Sequence, residues 1–204
     1  MSIELLIALA GFAMATSITP GPNNLMLMAS GANFGFQRTI PHMLGISLGH
    51  GFMIVMIGLG LIQVFEAFPV LHLIMKVLSV AYLLFLAWKI ARSAPPEGAA
   101  ESGSPFTFLQ AAGFQWVNPK GWFMALTAIT VYAPSESLLA IILVALVFSA
   151  VNLPSIIVWV CLGQSIRRFL TSQQRLRAFN WTMAALLVAS LVLIFLPVSG
   201  EQLP

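Results

Sequence analysis

Six long apolar runs follow one another along the chain, at about Ile3–Ala29, Ile40–Val64, Phe68–Ile90, Phe106–Tyr132, Leu138–Gly163 and Phe179–Leu196. Each is close to or beyond the roughly 20 residues that cross a hydrocarbon core. Such runs are read as helices, because lipid offers no water to backbone groups left outside a helix or a closed barrel. Length alone would allow at most about seven spans once loops are subtracted. Composition agrees: 59% of the 204 residues are hydrophobic and 7% charged, with a mean hydropathy of +0.96, whereas a soluble domain is about 25% charged. A soluble globule is excluded for want of charge to cover its surface, and disorder because the aliphatic content is too high. The expected fold class is an all-α membrane protein.

Several chemistries are closed at the same stage. The single cysteine, Cys161, excludes a disulfide framework, a dithiol relay or a thiolate metal site, and is expected to be a buried thiol. There is no Asp, and the six Glu are dispersed at Glu4, Glu66, Glu97, Glu101, Glu136 and Glu201. An intramembrane oxygen-ligand cation site is then hard to build, so neither metal nor cofactor is expected. The nine basic residues are scattered and no nucleic acid is expected as partner. No G-x-x-x-x-G-K-[ST] supports ATP-driven pumping. The first run lacks a basic flank, so no cleaved signal is expected.

One connection reads as a linker, 92–105, with Pro95-Pro96, Gly98, Gly103 and charges. It divides a single transporter domain, 1–204, into halves 1–91 and 106–204 with three runs each. Arg38 lies between runs one and two, Lys89 and Arg92 between three and four, and Arg167, Arg168, Arg175 and Arg177 between five and six. Glu66, Glu136 and Glu201 occupy the alternate side, which carries no Lys or Arg. The positive-inside rule places the basic side in the cytoplasm and both termini outside. An odd number of spans per half makes the halves enter the membrane from opposite sides, as a 3+3 inverted repeat does.

The first run contains Thr19-Pro20-Gly21-Pro22-Asn23-Asn24, and the fourth contains Gln115-Trp116-Val117-Asn118-Pro119-Lys120-Gly121-Trp122. Pro20 and Pro22 remove two amide donors around a glycine and make one continuous helix untenable. As one helix the first run would be about 40 Å long, more than the ~30 Å core. Breaks in the first helix of each half are where carriers hold their substrate, because bare backbone groups must line a cavity or pack on protein. Pro20, Gly21, Pro22, Asn23, Asn24, Asn118, Pro119 and Lys120 are therefore the candidate substrate-binding residues. Asn152, before Leu153 and Pro154 in the fifth run, is either a further cavity element or part of a kink.

Lys120 lies roughly 20 Å from either end of its run at 1.5 Å per residue, too far for its stem to snorkel. A midplane lysine costs about 2.5–3.5 kcal/mol on insertion scales, so it needs carbonyls, water or an anionic ligand. Lys76 lies nearer an end and can almost reach the interface. A small zwitterion suits this set: its carboxylate to the helix restarting after Pro22 and to Lys120, its ammonium to freed carbonyls and the Asn side chains.

Together these residues resemble the LysE/RhtB family of bacterial amino-acid exporters. The resemblance rests on Thr19-Pro20-Gly21-Pro22-Asn23-Asn24, Gly35-Phe36-Gln37-Arg38, Leu44-Gly45 with Leu48-Gly49, Ala81-Tyr82-Leu83 with Trp88-Lys89, and Asn118-Pro119-Lys120, in family order over essentially the whole chain. It implies six transmembrane helices in the inner membrane and efflux of amino acids driven by the proton-motive force. The Pro-Gly-Pro-Asn-Asn form and Phe114–Asn118 look most like the cysteine/O-acetylserine branch, with homoserine, threonine or leucine export as competitors. The implied partners are a small amino-acid substrate, protons and the lipid bilayer, with a homodimer left open. Many relatives carry an acidic residue where this chain has His50, so proton coupling would fall to His50, an imidazole of suitable titration range, or to Lys120. His42 and His72, near run ends, are expected at the interface.

A reading of a different class rests on Gly45-Ile46-Ser47-Leu48-Gly49 followed by His50, a G-x-S-x-G pattern that would make Ser47 an intramembrane hydrolase nucleophile. That motif needs a strand-to-helix turn, and here it sits inside an apolar run with no orienting acid. Gly45, Gly49, Gly58 and Gly60 read more simply as small residues for close helix contact. A channel or structural membrane protein is the remaining alternative. Trp116 and Trp122 flank the second break, where one of them would shape the cavity.

Overall fold

The computed structural model describes residues 1–93, 104–133 and 137–195, the last four by their backbone only. Most of the 92–105 linker, with Glu97, Glu101, Glu136, Glu201 and the last residue of the sixth run, lies outside the described residues. Among the described residues there is no strand. The chain forms α1 (Ile3–Ile18), α2 (Pro22–Phe34), α3 (Phe36–Met56), a π-helical turn (Ile57–Leu61), α4 (Ile62–Ala67), α5 (Val70–Ala91), α6 (Phe108–Val117), α7 (Pro119–Tyr132), α8 (Leu138–Arg167) and α9 (Gln173–Phe195). Each apolar run is occupied by one helix or one broken pair. Phe36–Ala67, α5 and α8 are long and apolar enough to cross a membrane, and α1 with α2 adds a fourth span if the bent pair counts as one.

Helices overrun the charge markers used to bound the runs. α3 starts at Phe36 and carries Arg38 in its first turn, while α9 starts at Gln173 and carries Arg175 and Arg177. Long basic side chains reach the interface from a helix end, so a charge there does not stop the helix. α2 is stopped by Gly35, whose φ of 79° is open to glycine. Gly60 also differs from expectation: at φ 101° it shapes the π-helical turn, and a methyl there would approach only Gln63.

Backbone-close crossings hold the bundle together. A methyl on Gly31 of α2 would run into the Val160 carbonyl of α8, and one on Gly163 of α8 into the Met28 carbonyl of α2. Gly45 and Gly49 of α3 face the Phe108 carbonyl and Ala112 of α6 in the same way, and Gly58 faces Ile141. Small residues allow such approach where packing rather than water drives helix association. One apolar cluster joins Leu25, Leu83, Leu86, Phe114 and Leu187; another joins Leu9, Met53, Ala125, Val144 and Phe148. Outside them Ile7, Phe52, Leu73, Leu109, Phe123, Leu146 and Trp181 stand more than half exposed, a surface that suits lipid and would aggregate in water. Cys161, expected to be buried, lies exposed on α8, because an apolar run does not tell its core face from its lipid face.

Seven of the nine basic residues gather at one end. Asn33 of α2 and Asn180 of α9 exchange side-chain hydrogen bonds at 2.7 and 3.0 Å, and Asn180 also donates to the Ser93 carbonyl just past α5. Arg167 lies beside Gly35. Arg38, Lys89, Arg92, Arg167, Arg168, Arg175 and Arg177 are carried by these same helix ends. His42, expected at the interface, is instead fully buried there against Phe106, their ring centroids 5.1 Å apart.

Candidate functional site

Both breaks arise from the same local chemistry. A residue before proline is pushed out of the helical region toward extended backbone, and proline is at ease as the first residue of a helix, where its missing N–H is not needed. Gly21 is fully extended before Pro22, the first residue of α2. Asn118 is extended (φ −93°, ψ 107°) before Pro119, the first residue of α7. α1 and α2 meet at 59°. Pro154 leaves α8 unbroken.

Side-chain capping is uneven along the chain, and α3, α4 and α5 share with these two starts the lack of a side-chain cap. Ser2, Thr107 and Ser137 cap α1, α6 and α8 with their hydroxyls, Thr107 in a reciprocal box with Gln110. No side chain caps α2 or α7, so their first amides and positive dipole ends stay available to an anion.

The two breaks touch. Lys120, second residue of α7, donates to the Thr19 carbonyl at 2.8 Å, to the Thr19 hydroxyl at 2.9 Å and to the Pro20 carbonyl at 3.4 Å. It is therefore a helix-start residue rather than the mid-helix one its place in the fourth run implies, and its charge lies at the negative end of α1. Asn24 donates to the Ser17 and Thr19 carbonyls at 2.8 and 2.7 Å. The Trp159 indole takes the Ile18 carbonyl at 3.1 Å, and the Trp122 indole takes the Trp116 carbonyl at the end of α6 at 2.7 Å. The carbonyls freed at the end of α1, expected to stand open for a ligand, are thus already engaged. Across the halves, Asn23 and Gln115 exchange amide hydrogen bonds at 2.8 and 3.2 Å.

Between the breaks lies a polar cavity of about 20 Å³, lined by Thr16, Ser17, Gly21, Asn23, Asn24, Asn118, Lys120, Met124, Asn152 and Ile156. That is room for about one water. Asn152 donates to the Ser17 hydroxyl at 3.0 Å, so the residue left between cavity and kink faces the cavity. The Oδ1 atoms of Asn118 and Asn152 are buried without a hydrogen-bond partner. Orphaned acceptors of this kind call for a donor, in water or in a ligand.

Of the candidate residues, Gly21, Asn23, Asn24, Asn118, Lys120 and Asn152 line this cavity, and Pro20 meets it through its carbonyl. Pro22 is buried as the start of α2. Pro119 faces the other way, into an apolar cavity of about 300 Å³ shared with Phe65, His72, Lys76, Trp116 and Trp122. Neither tryptophan therefore lines the polar cavity, and His72 lies in the apolar one. His50 is buried beside the site, its Nε2 3.1 Å from the Gly121 carbonyl and its ring 4.8 Å from Phe148; its Nδ1 has no partner. Thr16, Ser17 and Gln115 were missed as site residues. Their signal was polarity within an apolar run, within one helical turn of a proline break.

The LysE type translocator family matches residues 14–197. The chain belongs to this family. Among curated relatives, the cysteine/O-acetylserine efflux protein of Klebsiella pneumoniae is 30% identical over 92% of this chain and 95% of its own length. Those of Escherichia coli K12 and Salmonella choleraesuis are 29% and 30% identical over 96% of this chain and their full lengths. No solved structure matches the chain.

This LysE-type translocator is not an enzyme, and the hydrolase reading of Ser47 fails on geometry too. The Ser47 hydroxyl donates to the Ser149 carbonyl at 2.9 Å, and that of Ser149 returns to the Ser47 carbonyl at 3.3 Å. His50 is turned to Gly121 instead. The pair ties α3 to α8 near the Pro154 position.

Proposed function

We propose that this translocator exports a small neutral amino acid or derivative across the bacterial inner membrane, in the class of cysteine or O-acetylserine, by alternating access between halves 1–91 and 106–204. The observation that carries this reading is the polar cavity between two proline-started helices, one from each half, inside an otherwise apolar bundle. Its lining offers uncapped amides and a cation for a carboxylate, and orphaned oxygens for an ammonium. No carboxylate is among the lining residues, so a net cation is disfavoured as substrate. The names of the relatives support the same substrate class.

Six spans with both termini outside fit the gathering of basic residues at one end, which the positive-inside rule assigns to the cytoplasm. Broken first helices in both halves fit a 3+3 inverted repeat. A cavity of one-water size fits a state that must widen to load a substrate. His50, buried next to the first turn of α7, is the first candidate to couple proton movement to that change, and Lys120 is the second. Efflux from loaded vesicles, with and without a pH gradient, tests the reading in wild type, Lys120→Ala and Pro22→Ala. Both variants should lose most efflux; unchanged rates in both would remove the site assignment.

A further inference from the structure

We infer that the Lys120 ammonium stands in for the substrate's own ammonium, so that loading is an exchange in which the substrate takes over the Thr19 and Pro20 carbonyls and its carboxylate draws Lys120 away. The inference rests on the exporter reading for its transport consequence and on geometry for its site.

Three observations carry it. The acceptors at the end of α1 form a built ammonium site: two carbonyls and a hydroxyl hold Nζ at 2.8–3.4 Å with no carboxylate in the cavity lining. The remaining space, about 20 Å³, admits no amino acid while the lysine stem lies across it. Thr19 and Pro20 are exposed, so the ammonium is held at the outer edge of the cavity. Gly21 fits the same arrangement: its extended backbone is open to any residue, but a methyl there would stand 3.0 Å from Lys120 Cδ and 3.2 Å from Nζ. A side chain there would push the lysine aside by a few tenths of an ångström.

A displaced ammonium needs a new partner. Of the described acidic residues, Glu4 sits in the first turn of α1 and Glu66 in α4, and neither lines the cavity. With no carboxylate of the described residues at the cavity, the anion arrives with the substrate. An amine without a carboxylate cannot move Lys120, and a carboxylate without an amine leaves the α1 carbonyls and the Asn118 and Asn152 oxygens unpaired. Both groups are required, and Lys120 enforces the requirement.

The test is binding to the purified full chain of L-cysteine, cysteamine (its decarboxylated form) and 3-mercaptopropionate (its deaminated form). Wild type should favour cysteine over either fragment by at least about tenfold. Lys120→Met should weaken cysteine and strengthen cysteamine by about tenfold relative to wild type, because the ammonium site is then empty. Lys120→Arg, which keeps the carbonyls covered, should still refuse cysteamine. If the methionine variant does not fold, Lys120→Gln carries the same expectation, since a neutral amide yields those oxygens to an ammonium. Cysteamine binding no tighter in the neutral variant than in wild type overturns the inference, even with cysteine efflux by wild type intact. A wild type that exports no neutral amino acid would instead sink the exporter reading, and the amine comparison would still decide whether Lys120 guards an ammonium site.

Discussion

Lys120 and Thr19 are 101 positions apart in sequence, yet the lysine Nζ lies 2.8 Å from the threonine carbonyl oxygen. This bond joins the break of the first apolar run to that of the fourth. It places the positive start of α7 and the negative end of α1 around one cavity, so that a dipolar molecule meets complementary partial charges without any carboxylate from the protein.

Gly21→Ala should disturb this contact without touching a hydrogen-bonding group. The new methyl meets the far end of a flexible side chain at 3.0–3.2 Å, so Lys120 shifts by a few tenths of an ångström and its bonds to Thr19 lengthen. Hydrogen bonds to charged groups are worth about 1.5–3 kcal/mol. Because loading exchanges these bonds for the substrate's own, an apparent KM for efflux lowered about tenfold, with a folded protein by size-exclusion chromatography, is the expected outcome. A KM equal to wild type would show that the lysine's position on Gly21 is immaterial.

The glycines separate into two groups that should respond oppositely to alanine. At Gly31 and Gly163 a methyl meets the backbone of the facing helix, which cannot move aside. Gly11 and Gly113 have nothing within 4 Å. Gly31→Ala and Gly163→Ala should each cost about 1–3 kcal/mol as overpacking. Gly11→Ala and Gly113→Ala should be neutral or gain up to about 1 kcal/mol from the smaller entropy of the unfolded chain. Thermal unfolding of all four in one detergent checks the sign of each.

The positions of the six apolar runs, the two breaks and most of the site's residues could be read from sequence because they depend on local chemistry: apolar length, and proline acting on the residue before it. What could not be read depends on partners distant in sequence. Lys120 looks like a mid-helix charge until Asn118 is seen to end α6, which makes the lysine a helix-start residue. The freed carbonyls of α1 look open until Asn24, Trp159 and Lys120 are seen to occupy them. Cys161 and His42 exchange their expected surroundings because hydropathy does not report which face of a helix is covered.

The Asn33–Asn180 pair supplies a stability test at the basic end. Both amides are buried and each donates to the other's oxygen. Cross-helix hydrogen bonds in membrane proteins average about 0.6 kcal/mol and reach about 1.7, and a reciprocal pair should lie near the top of that range. Asn33→Ala and Asn180→Ala should each destabilise, because the surviving amide loses its partner. The double variant should cost less than the sum of the two, with a coupling of about 1–2 kcal/mol. Additive losses in chemical denaturation would mean that the two amides do not work as a pair.

Ser47→Ala separates transport from the chemistry that the Gly45–Gly49 pattern mimics. Its hydroxyl is engaged with the Ser149 carbonyl, five positions before Pro154, where α8 carries a proline without breaking. Proline removes the amide donor one turn after Ala150, and the Ser47–Ser149 exchange supplies cross-helix bonding beside that gap. Removing the hydroxyl deletes the shorter of the two reciprocal hydrogen bonds, while Ser149 can still donate to the backbone carbonyl of residue 47. The expected result is a loss of about 0.6 kcal/mol in unfolding free energy with efflux within about twofold of wild type. Ser47 does not line the polar cavity, and the hydrogen bond of His50 goes to Gly121 rather than to Ser47. Abolished efflux in a variant that unfolds like wild type would therefore give Ser47 a direct part in transport that its position on the α3–α8 contact does not provide.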